Sequence, residues 1–117
     1  MSTIPIVAYT SDEAVRTVRG MLRSGFEVKT ARISYNVDKG LPNAEDTENY
    51  PLILKGTLNG SSLTVPVYSV TAGYGGTGPN AMVRILNEAG FKFKDSDILT
   101  KELVNSDGQI DLFYTRD

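Results

Sequence analysis

Three features of this 117-residue chain predict an α+β fold, a mainly antiparallel or mixed sheet with two helices packed on one face. Residues 11–24 and 79–89 space their apolar side chains at three and four, the period of an amphipathic helix. Asn59-Gly60 stands between two alternating apolar runs, a strong hairpin signal that makes the flanking strands antiparallel. Short β-branched runs fill the remainder, so the order reads β-α-β-β-β-α-β-β within a single domain, residues 1–117.

Taken in order, residues 4–9 (IPIVAY) are apolar and β-branched and read as a strand buried on both faces. Thr10-Ser11-Asp12-Glu13 forms a capping box, which predicts a helix over 11–24 with Ala14, Val15, Val18, Met21 and Leu22 buried and Gly25 as its stop. Residues 26–37 read as one long strand whose alternation changes phase midway. Phe26 and Val28 lie on one face and Ala31, Ile33, Tyr35 and Val37 on the other, so a bulge is expected near Lys29 or Thr30. Residues 38–51, punctuated by Gly40, Pro42 and Pro51 and carrying Glu45, Asp46 and Glu48, read as a long exposed, mobile loop. Strands follow at 52–58 and 63–71, and Pro66 assigns the second to a sheet edge or a bulge. The second helix spans 79–89 with Met82, Ile85, Leu86 and Ala89 inward, Pro79 at its first position and Gly90 as C-cap beneath Phe91. A brief strand at 91–94 is expected, and a closing hairpin joins Leu103-Val104 to residues 110–114 through Asn105-Ser106-Asp107-Gly108.

Composition narrows the chemistry. The chain has no His and no Cys, which excludes disulfides, soft metal sites and His-based catalysis. A net charge of −2 gives no global attraction to nucleic acid, so generic DNA binding is disfavoured. Neither a signal peptide nor a membrane span is found, and the reading is a cytoplasmic, soluble protein without membrane association. No cofactor, metal or catalytic residue is assigned. The Arg16, Arg19 and Arg23 face of the first helix reads either as solvated surface or as an anion-facing patch.

The most informative stretch is Gly73-Tyr74-Gly75-Gly76-Thr77-Gly78-Pro79-Asn80. So many glycines imply positive φ or close approach to something, and the stretch delivers backbone N–H groups to a helix N-terminus where the peptide dipoles favour an anion. Thr77 and Asn80 add side-chain donors, Tyr74 an aromatic ring, and Arg84 lies one turn further along. The candidate ligand-binding set is therefore Gly73, Tyr74, Gly75, Gly76, Thr77, Gly78, Asn80 and Arg84. Gly73, Gly75 and Gly78 satisfy the G-x-G-x-x-G spacing, with Asp95 at a distance suited to a ribose contact. The Asn59-Gly60 hairpin leaves no room for the parallel sheet that a dinucleotide fold requires. Pro79 stands where a phosphate loop would carry Lys-Ser or Lys-Thr. A tight strand-to-helix turn is the competing, purely structural reading.

Through Tyr-Gly-Gly-Thr-Gly-Pro, Ile85-Leu86 and Ala89-Gly90-Phe91, the chain resembles small phage-encoded proteins with glycine-rich loops. Among these are sponge proteins that sequester cyclic nucleotide signals of bacterial antiviral defence. The resemblance covers residues 73–91 and implies phosphate held by backbone amides, a base stacked on a ring such as Tyr74, and no turnover. The expectation is a non-enzymatic binder of a phosphorylated nucleotide-like ligand, in an anti-defence role if the resemblance holds, and a homo-oligomer that encloses the ligand between protomers. Two alternatives stand beside it. One is a small enzyme on a phosphorylated substrate using carboxylates such as Asp95 and Asp97; the other is an interaction module docking through Glu45 to Glu48.

Overall fold

The structure, a computed structural model, describes residues 2–7, 10–71, 77–93 and 107–116. Five strands form one mixed sheet: β1 (Ser2–Thr3), β2 (Phe26–Asn36), β3 (Leu52–Leu58), β4 (Ser61–Val67) and β5 (Gln109–Thr115), in the order β1-β4-β3-β2-β5. Among the described strands, β1 and β4 run parallel and the other neighbouring pairs are antiparallel. The helices α1 (Ser11–Arg23) and α2 (Thr77–Glu88) share one core with the inward residues of the strands, including Ala31, Ile33, Leu52, Leu54, Val65, Val67 and Ile110. The opposite sheet face carries polar residues such as Arg32, Lys55 and Asp111, so the architecture is the expected two-layer α+β fold.

Local chemistry accounts for most boundaries. The Thr10 hydroxyl accepts from the Glu13 N–H at 3.1 Å and caps α1, which buries Ala14, Val15 and Val18 but leaves Met21 and Leu22 half-buried. The phase change in β2 is resolved by a bulge between Val28 and Thr30, so Phe26, Val28, Ala31, Ile33 and Tyr35 all face the core. Gly56 pairs with Val28 beside this bulge. A Cβ on Gly56 would strike the Glu27 carbonyl oxygen and stand 2.9 Å from the Val28 Cα, so the close approach of two backbones demands glycine there. Asn59 (φ 52°) and Gly60 (φ 84°) form a two-residue hairpin loop with Leu58 opposite Ser61, tighter than the four-residue turn expected.

Several expectations are corrected. The strand read over 4–9 is instead an edge element. It begins at Ser2, and Ile4 and Ile6 donate to the Thr64 and Pro66 carbonyls at 2.9 and 2.8 Å, with Ile4 and Val7 exposed. Pro66 lies on neither an edge nor a bulge, because β4 is covered by β1 on that side. Its ring nitrogen faces the segment that continues β1, where Ile4 is 47 % exposed, so the missing ladder bond falls where water can replace it. The oligomer argument from a Pro66 edge therefore loses its premise. α2 begins at Thr77, two residues early, which puts Pro79 third in the helix. Its end is as expected: Gly90 takes φ 104°, and Phe91 N–H bonds back to the Leu86 carbonyl at 3.0 Å. Residues 91–93 form no strand, and the remaining expectations for residues 94–106 lie outside the described residues.

The acidic loop is folded. The Asn36 carboxamide oxygen accepts from the Asp38 and Lys39 N–H groups at 2.9 and 3.0 Å, and residues 47–49 form a short 3-10 helix. The Tyr50 hydroxyl donates to the Ala44 carbonyl and the Tyr68 hydroxyl to the Pro42 carbonyl at 2.7 Å. Their rings meet edge to face, 5.0 Å between centroids. Burial pushes the Tyr50 phenol above its ordinary range, and the nearby Tyr68 hydroxyl adds to the shift.

Candidate functional site

The ends of β1, β2 and β4 and the starts of both helices gather at one end of the sheet. Ile33, Leu52, Val67 and Ile6 stand in adjacent register across four strands, and the chain leaves β2 and β4 just beyond that row. The Ser11 hydroxyl, at the first residue of α1, donates to the Ser69 carbonyl at 2.7 Å, tying the helix start to the exit of β4. Two ion pairs join the helices: Arg84 to Asp12 at 3.5 Å and Arg19 to Glu88 at 2.6 Å. Both pairs advance along α1 and α2 in the same sense, so the two N-termini point to the same end.

Of the predicted ligand set, Gly73, Tyr74, Gly75 and Gly76 lie outside the described residues; Thr77, Gly78, Asn80 and Arg84 are described. Thr77 and Gly78 open the first turn of α2, and Pro79, third in the helix, has no N–H to donate. Thr77 and Asn80 are exposed on this first turn. The contrast with α1 is instructive. Asp12, Glu13 and the Thr10 cap offset the positive end of α1, whereas the first turn of α2 contains no carboxylate.

Gly78 has a packing role that the sequence did not reveal. A Cβ there would collide with the hydroxyl oxygen of buried Thr71 and stand 3.3 Å from its Cβ. This glycine therefore lets the start of α2 close on the exit of β4, whether or not it also meets a ligand.

Arg84, one turn past Asn80, pairs with Asp12 in the first turn of α1. The three arginines of α1 do not share one site: Arg23 lies beside Arg19 and Glu88, and Arg16 lies apart. Arg19 is held by Glu88, the last residue of α2, roughly 16 Å along the axis from Thr77 at 1.5 Å per residue. The repulsion expected between Arg19 and Arg23 is eased by that carboxylate. Arg16 instead lines an apolar groove between α1 and β1 with Ile4 and Val7. The acidic loop lies at this same end of the sheet, because Tyr68, which holds Pro42, directly follows β4.

Asp95 and Asp97 lie outside the described residues. Among the described residues no three carboxylates converge as metal ligands, and no helix is long and apolar enough to cross a membrane. Comparison with known proteins supplies no relative: no protein-family model matches the chain, and no curated protein or solved structure is significantly similar to it.

Proposed function

We propose that this protein binds a phosphorylated, nucleotide-like ligand and releases it unchanged, acting by sequestration. The phosphate is held where the glycine-rich stretch enters α2, by backbone N–H groups of the stretch and of Thr77 and Gly78, with Thr77 and Asn80 side chains and Arg84 around it. The observation that supports this reading most is the first turn of α2, which carries no carboxylate, set beside an α1 whose first turn carries two acids and the Thr10 cap. Arg84 supplies the nearest cation, and its exposure leaves it able to exchange Asp12 for an anion. A cyclic nucleotide signal is the particular ligand that the resemblance over residues 73–91 suggests.

Thermal-shift screening against mono-, di- and cyclic nucleotides and inorganic pyrophosphate tests the proposal. A ligand at 100 times its dissociation constant adds about 2.7 kcal/mol of stability. In a folded Gly76→Val variant the shift should vanish, because a β-branched residue resists both positive φ and close backbone approach. Bound nucleotide recovered after denaturation should be chromatographically unchanged, with and without Mg²⁺. No shift with any phosphorylated compound, or an undiminished shift in Gly76→Val, rejects the site. Repeated product formation per protein molecule rejects sequestration in favour of catalysis.

A further inference from the structure

The loop of residues 38–51 stands off the open face of the sheet and leaves a cleft of about 380 Å³ against the ends of β2 and β5. That volume lies within the range of small-molecule sites, roughly 300–1,000 Å³. Ser34 and Asn36 reach it from β2, while Lys39, Leu41, Asp46 and Asn49 reach it from the loop. We infer that this cleft is a site for a nucleoside, an uncharged base with its sugar; the choice of nucleoside rests on the nucleotide reading proposed above.

Charge is the first argument. Lys39 and Asp46 line the same cleft, and neither forms an ion pair among the described residues. Their charges offset, so the cleft offers no net attraction to phosphate and suits the neutral part of a ligand. Hydrogen-bonding capacity is the second. The Ser34 hydroxyl accepts from the Gln109 amide at 3.2 Å, which leaves its own hydrogen to donate. The Asn36 amide donates to the Asp107 carbonyl at 3.2 Å and keeps a second N–H, while its oxygen is saturated by the Asp38 and Lys39 N–H groups. Asn49 donates to the Asp46 carboxylate at 2.8 Å, and its own carboxamide oxygen takes no bond among the described residues. Donors on the sheet wall thus face acceptors on the loop wall. Leu41, 40 % exposed, adds an apolar surface against which a ring can lie.

The third argument is that the cleft is held open before any ligand arrives. The Tyr50 hydroxyl bond to Ala44 and the Tyr68 bond to Pro42 hold the loop in place, so little ordering cost is left to binding. Tyr68 also places the loop at the end of the sheet where β4 exits toward the glycine stretch. The axes of β4 and β2 are two strand spacings apart, roughly 10 Å.

The test is a proton-nitrogen correlation titration of the full chain with adenosine, guanosine, cytidine and uridine, and separately with inorganic pyrophosphate. At least one nucleoside should shift the Ser34, Asn36 and Asn49 signals, and pyrophosphate should leave them unmoved. Ser34→Ala and Asn49→Ala, each checked for native peak dispersion, should each weaken that nucleoside at least about tenfold. Ser62→Ala, at the far end of the open face, should not. Cleft signals that stay still with every nucleoside, or that move with pyrophosphate, overturn the inference. If nucleotides bind at Thr77 to Asn80 while no nucleoside enters the cleft, this inference fails and the phosphate site stands. If a nucleoside enters the cleft and no phosphorylated compound touches Thr77 to Asn80, the inference holds and the phosphate site fails.

Discussion

Gly78→Ala separates the packing role of the glycine stretch from its proposed ligand role. The new methyl meets the hydroxyl oxygen of Thr71, a residue only 7 % exposed, and lies close to its Cβ and backbone nitrogen as well. Overpacking of this kind costs about 1–3 kcal/mol, and the helix propensity gained on replacing glycine by alanine returns up to about 1 kcal/mol. From the middle of the overpacking range, about 2 kcal/mol, the expected net loss is about 1–2 kcal/mol, or roughly 4–8 °C in melting temperature for a domain of this size. Thr71→Ala removes the offending oxygen and leaves the two Cβ positions at 3.3 Å, tight but tolerable. Urea denaturation of the two single variants and the double variant should give a coupling of about 1 kcal/mol or more in favour of the pair. The double variant, once folded, should bind pyrophosphate about as tightly as the parent, because the backbone N–H of residue 78 remains. A Gly78→Ala protein as stable as the parent, or a penalty unchanged by Thr71→Ala, would refute the close-approach argument.

Other outcomes follow from the same geometry. Gly56→Ala should cost about 3 kcal/mol or more by urea denaturation, because its methyl meets backbone atoms of Glu27 and Val28 that cannot rotate aside. Asp12→Ala should cost less than about 1 kcal/mol, since its pair with Arg84 is exposed, yet it should tighten pyrophosphate binding measured by calorimetry. Tyr50→Phe should lose about 1 kcal/mol with the hydroxyl bond to Ala44. Tyr50 has its folded pKa raised, so its stabilising contribution is complete below the unfolded value near 10 and is lost as pH rises through the folded pKa. Equilibrium unfolding across alkaline pH should show that decline in the parent and a shallower one in Tyr50→Phe.

Much of the fold was legible because it depends on local chemistry. The Thr10 cap, the phase change in β2 and the Asn59-Gly60 turn each leave a signature within a few residues, and all three appear in the structure. Pro66 misled because the sequence states only that a ladder donor is missing; which neighbour goes without it depends on β1, more than sixty residues away in the chain. Residues 38–51 read as a mobile loop because nothing within them announces the Tyr68 bond that holds Pro42. At the candidate site the sequence set the start of α2 at Pro79, two residues later than Thr77, because proline's fixed φ marks a first turn without saying which of its positions the ring takes. It did not identify the reason for Gly78, since Thr71 approaches only after the sheet and helix have packed. The Arg19 and Glu88 pair was hidden in the same way, by a relation between two helices that only the shared core establishes.

The pairing of β5 with β2 bears on how the chain acquires its structure. Thr30 stands opposite Thr115 and Asn36 opposite Gln109, so β5 pairs along seven residues of β2, at least seventy residues away in the chain. Contacts so distant in sequence demand closure of a large loop before they repay it, which places folding among the slower mixed folds of its size. During synthesis, β1 to β4 and both helices leave the ribosome while that flank of β2, with Ile33 and Tyr35 in it, still has no partner. A chain halted before residue 109 would keep that flank open and offer a template for pairing with other nascent chains. Pairing of β5 thus acts as the step that covers this flank of β2.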